Sequence, residues 1–449
     1  MLLAEKIDRY QAILKHNREL YTAAQECLRS KPEISERDRL FLLVFAPVLL
    51  EYTKWVLRQS LADDRKRVYF LARDSWLMYA AAEKICAEWN IPIECRYLRV
   101  SRYAIRQAQY KLIGDKSLDL LCTNGIDTTI EKVMKRAGLS PCEAQQVIDD
   151  TGHRDDSRRV LTYPQLQELK RELKEYSGFL QLLEAHSTEA YPKVLGYLRQ
   201  EGLFDDVAYA LADSGWIGTL QQSVDQLIRN EEEHIQPLQG YYFGLYEIPK
   251  GMDNRQYKTF YFSPGTQFRR KVHFANSLFE AIFSSPEGMT TGYRQTKQGF
   301  EPVASERKNP NASFLNRCRE LSDTFVSTYL QLSRNQLDSD TKVCANLLGT
   351  FMSNPSKEEV ELYGNLLFCD DLLEMQMQKV AAELSEEEIK NQSIVRKALI
   401  LAGIRNEEIH ESAWIEGSIV RNDSHTSRYL RQAARYKSLV YLKKSMKRV

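Results

Sequence analysis

Apolar positions recur at helical spacing through the first sixty residues. Ile7, Tyr10, Leu14 and Tyr21 predict helices, and Ser35 before Glu36, Arg37 and Asp38 marks the start of the next one. The run Leu40 to Leu50 is continuously apolar but is interrupted by Pro47 and falls short of the roughly 20 residues a membrane-spanning helix needs, so it reads as a core segment. The texture then changes. Val68 to Ala72 is a short apolar run that ends in Arg73-Asp74-Ser75, and a helical stretch follows from Trp76 to Ile85. A second strand pattern runs from Ile93 to Val100 and stops at Ser101-Arg102-Tyr103. This strand–loop–helix–strand order is the repeating unit of a parallel sheet.

From about 110 to 200 the pattern is polar and helical, which reads as an insertion. Strand texture returns at Val207 to Ala212, followed by Asp213-Ser214-Gly215-Trp216-Ile217-Gly218-Thr219 and a helix from Leu220 to Ile228. Gly240 to Tyr246 and Thr259 to Phe262 predict two further strands; beyond about 265 the chain reads as helices to its end, with breaks near 302–313 and 353–358. The organisation expected is a helical segment at 1–62, an α/β core at 63–265 with a helical insertion at about 110–200, and a helical region at 266–449.

Composition narrows the class. The 449 residues are 43% hydrophobic and 27% charged, which is globular rather than disordered. Lys+Arg 62 against Asp+Glu 61 leaves a formal charge of +1, which excludes a protein that coats nucleic acid through its overall field. The eight cysteines are scattered without a CxxC, so free thiols in a cytoplasmic setting are expected, with neither zinc nor a disulfide scaffold. The first residues turn charged at once and show no signal-peptide pattern.

The chemistry concentrates where strands end and helices begin, because helix N-termini present free N–H groups to anions and open α/β sheets bind ligands at the carboxyl ends of their strands. In Asp213–Thr219, Gly215 and Gly218 permit close backbone approach to a ligand, while Ser214 and Thr219 add hydroxyl groups. The plainer alternative is that Asp213 caps a helix and the glycines make a tight turn. That alternative leaves the matching junction Arg73-Asp74-Ser75 and the pair Ser101-Arg102 without a role. Together they suit a phosphorylated sugar: arginine grips phosphate bidentately, and Asp74 with Asp213 supplies two carboxylates for Mg²⁺. A phosphatase of the haloacid-dehalogenase type needs a second acid two residues after its nucleophilic aspartate, and that position holds Trp76. GxxxxGK[ST], GxSxG and HExxH are all missing.

The order of these pieces resembles a type I phosphoribosyltransferase. More narrowly, the words Tyr69 to Ser75, Val100 to Tyr103, Asp213 to Thr219 and Phe279 to Glu287 are similar to the phosphoribosyltransferase module of bacterial polysaccharide ribofuranosyltransferases. The resemblance covers roughly residues 40–295. It implies a parallel-sheet core that binds phosphoribosyl pyrophosphate (PRPP) with Mg²⁺. Arg73, Asp74 and Ser75 then lie at the pyrophosphate loop, Ser101 and Arg102 at the following strand end, and Asp213, Ser214, Gly215, Trp216, Gly218 and Thr219 in the loop for the 5-phosphate and ribose. Two departures stand out: Ser214 takes the place of a second adjacent acid in a shortened loop, and Ser75 replaces the usual glycine.

The activity implied is transfer of 5-phosphoribose to a sugar hydroxyl of a surface glycan such as O-antigen or capsule, with inversion to the β-anomer. A partner phosphatase would then remove the phosphate. A general base is needed for the acceptor hydroxyl, and Asp74, Asp213, Glu280 and Glu287 are the candidates. The rival readings are a non-catalytic sensor of PRPP or a nucleotide, and a sugar-phosphate phosphatase. The tail from Arg428 to Val449 carries eight basic residues and no acid, interleaved with Tyr and Leu. It reads as a basic amphipathic helix suited to the cytoplasmic membrane surface, where a lipid-linked acceptor would reside, or as a solvated terminal helix. No nucleic-acid-binding pattern is present.

Overall fold

The computed structural model describes residues 2–31, 33–123, 128–232, 236–369, 377–393, 396, 412–422 and 426–446. Five strands form one parallel sheet: β1 (Arg67–Leu71), β2 (Glu94–Leu98), β3 (Tyr209–Trp216), β4 (Gln239–Leu245) and β5 (Tyr257–Phe262), in the order β2-β1-β3-β4-β5. The protein is therefore an α/β protein built on a parallel sheet. Period-two alternation sends successive side chains to opposite faces. Val68, Phe70, Ala210, Ala212, Tyr241 and Phe243 enter one apolar core, while Tyr69, Leu71, Tyr209 and Leu211 enter the other.

Helices cover both faces, as a parallel sheet requires. On the first face the Ala46–Ala62 helix and the Trp76–Trp89 helix pack under the sheet, backed by the Ala312–Leu332 and Thr341–Ser353 helices. The second face is covered by the Arg102–Ile113, Ser177–Gln200 and Thr219–Glu231 helices. Residues between Tyr110 and Leu183 gather around an apolar cluster of their own, made of short helices. The stretch Glu36–Ala62 is long and apolar enough to cross a bilayer, yet 94% of its apolar window is packed inside the protein. It is the spine of the first core.

One expectation needs correction. The chain after 265 is not all helical: Thr290–Thr296 (β6) and Gly299–Ala304 (β7) form an antiparallel hairpin. Its strands are short and polar on one side, so they carry little apolar signal. The tail does form a helix, Thr426–Met446, with residues 447–449 outside the described ones. Its apolar side is largely spent on the body of the protein: Tyr429 and Ala433 are buried, and Tyr441 stacks on Tyr246 with ring centroids 5.5 Å apart. Leu439 and Leu442 remain exposed.

The first helix is tied to the Thr341–Ser353 and Lys357–Tyr363 helices by a buried charge cluster. Lys6 Nζ lies 3.2 Å from Glu359 Oε2 and donates to the carbonyls of Thr350 and Asn354, while Tyr10 donates its hydroxyl to Glu359. Both charges are fully enclosed. Removing one partner strands the other, at a cost of about 3–5 kcal/mol. Lys6→Met is therefore expected to lower the denaturant midpoint sharply, with the double variant Lys6→Met/Glu359→Leu recovering much of the loss. Equal midpoints for wild type and Lys6→Met would show that the cluster contributes nothing.

Candidate functional site

The strand order reverses between β1 and β3: the chain builds β2 on one side of β1 and β3, β4 and β5 on the other. The crevice beyond the carboxyl ends at such a reversal is where open α/β sheets bind ligands. Here it is a cavity of about 350 Å³. Arg73 and Asp74 after β1, Ser101 and Arg102 after β2, and Asp213, Gly215, Trp216, Gly218 and Thr219 at the end of β3 all line it, with Glu280 from the Asn276–Phe283 helix. Residues scattered over more than 200 positions thus share one chamber.

The two loops are stitched by serines. Ser75 Oγ donates to the carbonyl of Ala212 at 3.1 Å, and Ser214 Oγ donates to Asp74 Oδ2 at 2.9 Å. Both serines are buried and absent from the cavity wall, so they position the loops and are not available to touch phosphate. Of the residues expected to bind phosphate, Ser75 and Ser214 thus direct their hydroxyls to the protein itself. Ser101 is occupied too: its hydroxyl accepts from Ala104 N–H, capping the Arg102–Ile113 helix, and donates to the carbonyl of Thr290. That leaves its helix end facing the cavity.

The glycines are required by geometry. Gly215 has φ 110° and an added Cβ there would stand 2.4 Å from the carbonyl oxygen of Gly244; Gly218 has φ 73° and a Cβ would strike the Tyr257 ring at 2.6 Å. Gly218 immediately precedes the Thr219–Glu231 helix, whose first N–H groups open on the cavity. Trp216 between them also has positive φ, 79°. Its indole is held among Tyr246, Phe262, Phe274 and Phe279 and donates through Nε1 to Glu280.

Asp74 and Asp213 face the same enclosed space, and burial raises the pKa of both. Asp213 is pushed up to about 8, first by burial and then by the neighbouring Asp74 charge, against backbone N–H groups of Ser214 and Gly215 and the Arg102 charge that lower it. Arg73 and the Ser214 hydroxyl act in the opposite direction on Asp74. Two carboxylates this uncomfortable in their ionised form suit a cation. No cluster of three or more His, Cys, Asp or Glu side chains suited to a metal occurs among the described residues. Mg²⁺ is commonly held by one or two carboxylates with the remaining positions filled by substrate phosphate and water, so Asp74 and Asp213 are the residues that could hold it.

Glu287 does not join the chamber. It is half-exposed and pairs with Arg99 at 3.0 Å, outside the cavity wall. Sequence reasoning missed Asn276, Ser284, Asn309 and Asn311, which complete the far wall. Ser284 lay within the word Phe279 to Glu287, and Asn309 and Asn311 within the break near 302–313, yet nothing in the chain links them to residues 74 and 213. Trp76, where a phosphatase would need its acid, lies under the Arg319 guanidinium. No protein-family model matches the chain, and no curated protein matches it.

The raised pKa of Asp213 fixes a sign. Its folded-state value lies above its unfolded value near 3.8, so the folded state favours the protonated acid. Its contribution is full below the unfolded pKa and is lost progressively as pH rises towards 8, at about 1.4 kcal/mol per pH unit. Asp213→Asn mimics the protonated acid. It is expected to melt close to wild type near pH 4, above it at pH 7, and by a constant margin beyond pH 8. A margin that shrinks with rising pH would contradict the assignment.

Proposed function

We propose that the protein is a phosphoribosyltransferase-like enzyme that transfers 5-phosphoribofuranose from PRPP to a sugar hydroxyl of a bacterial surface polysaccharide, releasing pyrophosphate. One observation carries the reading: Asp74 and Asp213 meet at the switch point of a parallel sheet, between an arginine-bearing loop and a glycine loop that opens a helix. The sequence resemblance to the phosphoribosyltransferase module supplies the donor.

In this reading the loop Gly215–Thr219 and the start of its helix receive the 5-phosphate, where free N–H groups favour a dianion. Arg73 meets the diphosphate. Asp74 and Asp213 would hold Mg²⁺, which neutralises the leaving pyrophosphate when bound. The acceptor oxygen attacks the anomeric carbon as the bond to pyrophosphate breaks, through a transition state with oxocarbenium character as in glycoside chemistry. Attack from the opposite face inverts the α-donor to a β-ribofuranoside.

The proton of the acceptor hydroxyl needs a base. Asp74 accepts from Ser214, Asp213 shares its surroundings with Asp74, and Glu287 is paired outside the chamber. Glu280 lines the cavity, oriented by the Trp216 indole, and is assigned the base role. The product keeps its 5-phosphate, so a separate phosphatase completes the ribofuranose.

Calorimetric titration of PRPP with and without Mg²⁺ tests the donor site. Micromolar, Mg²⁺-dependent binding that is lost in Asp213→Ala is the expected result; no binding to the wild type in either condition removes the transferase reading in favour of a sensor of another ligand. Glu280→Gln is expected to keep donor binding while pyrophosphate release with acceptor present falls about 10²- to 10⁴-fold. A variant that retains full turnover would return the base role to the aspartates.

The exposed Leu439 and Leu442 and the basic residues around them support contact with an anionic membrane surface bearing a lipid-linked acceptor. Replacing both leucines by serine is expected to reduce sedimentation with anionic liposomes. Undiminished sedimentation would detach the tail from this role.

A further inference from the structure

The Asn276–Phe283 helix is apolar along most of its length: Leu278, Phe279, Ala281, Ile282 and Phe283 are all buried in the first core. Three polar positions interrupt it on one stripe. Asn276, Glu280 and Ser284, the residue that ends the helix, stand at i, i+4 and i+8, and all three line the chamber. Glu280 accepts from the Trp216 indole. The Asn276 amide and the Ser284 hydroxyl have no hydrogen-bond partner among the described residues, although Ser284 is only 7% exposed. A hydroxyl so enclosed at a cavity wall is satisfied by what fills the cavity.

The asparagines of the same wall are spent on holding it together. Asn311 donates to the carbonyl of Leu367 at 2.7 Å and accepts from its N–H at 3.1 Å. Asn309 donates to the carbonyl of Ser285 and accepts from Asn311 N–H. These bonds seat Leu367 and Phe368 against the Asn276–Phe283 helix, and with Met289 and Met377 they add an apolar surface to the chamber. Hydrogen-bonding groups in a row beside apolar side chains match a sugar ring, which carries hydroxyls at its edge and C–H groups on its face.

Charge narrows the sugar. Among the described residues lining the chamber the cations are Arg73 and Arg102; both act on Asp74, and Arg102 acts on Asp213 as well. Residues 276–377 bring one charged side chain to that lining, the carboxyl of Glu280. An acidic sugar on this wall would set its carboxylate near another, with no lining cation from the same wall to offset the lost hydration.

We propose that Asn276, Glu280 and Ser284 form a subsite for an uncharged sugar and that it excludes uronic acids. The inference rests on the transferase reading only for taking that sugar as the acceptor. Amide and hydroxyl each donate and accept, so Asn276 and Ser284 pair with ring hydroxyls on either side of the one that Glu280 receives.

Saturation-transfer NMR with methyl glucoside, galactoside and mannoside, beside methyl glucuronide and galacturonide, tests the assignment. At least one neutral glycoside is expected to bind, and the uronic acids to bind at least about tenfold more weakly, the weight of one unpaired charge. Asn276→Ala and Ser284→Ala should each weaken the neutral glycoside roughly three- to tenfold, as loss of one hydrogen bond does, with melting close to wild type. Glu280→Gln should keep the neutral glycoside and admit the uronic acids. Should Ser284→Ala fail to fold, Asn276→Ala at the half-buried start of the helix decides the question. Binding of no neutral glycoside, equal binding of the uronic acids, unchanged affinity in the folded variants, or continued rejection of uronic acids by Glu280→Gln would each overturn the proposal. The expected pattern without Mg²⁺-dependent PRPP binding would sink the transferase reading and leave the sugar site standing. Pyrophosphate release from PRPP with uronic acids as the sole effective acceptors would do the reverse.

Discussion

The arrangement of the chamber depends on the pairing of β1 with β3 and on the two hydroxyl bonds that extend it past the strand ends. Register places Phe70 opposite Ala212, so the residues that follow each strand emerge side by side. Ser75 then ties its loop to the last carbonyl of β3's buried half, and Ser214 ties its loop to Asp74. Each bond is buried, and a buried hydroxyl that loses its partner exacts a penalty larger than the bond itself contributes. The consequence is that Asp74 and Asp213 are held near one another before any ligand arrives.

Holding them there runs against electrostatics. Burial raises the pKa of both carboxyls, and the Asp74 charge raises that of Asp213 further. The surrounding structure opposes this only in part, through Arg73, Arg102 and two backbone N–H groups. A site of this kind is destabilised in isolation and relieved by a cation or a proton. Unfavourable native interactions of that sort are characteristic of places selected for binding or chemistry over stability.

The distant helices contribute by fixing the walls. Trp216 is clasped by four aromatic rings drawn from β4's end, β5, the segment leading into the Asn276–Phe283 helix and that helix itself, and through its indole it sets the position of Glu280. Tyr246, one of those rings, is in turn stacked by Tyr441 of the tail helix. The tail is thus part of the support behind the site, while its Leu439 and Leu442 edge remains exposed.

Much of this was legible in the chain. Near-continuous apolar runs that stop at Arg73-Asp74-Ser75 and Asp213–Thr219 identify buried strands and the loops where a parallel sheet binds ligands, because backbone hydrogen bonding and period-two alternation are local. Gly215 and Gly218 announce a backbone conformation that only glycine adopts freely. Partners in space are different. That Ser75 and Ser214 turn inward, that Glu280 lines the cavity while Glu287 pairs with Arg99, and that Arg106 is buried without a counter-charge all follow from contacts between residues tens to hundreds of positions apart. Local pattern determines which segments form strands and helices and which junctions carry polar groups; which groups meet, and which are left without a partner, is decided only when the two faces of the sheet are packed, because burial and charge pairing are properties of the assembled interior.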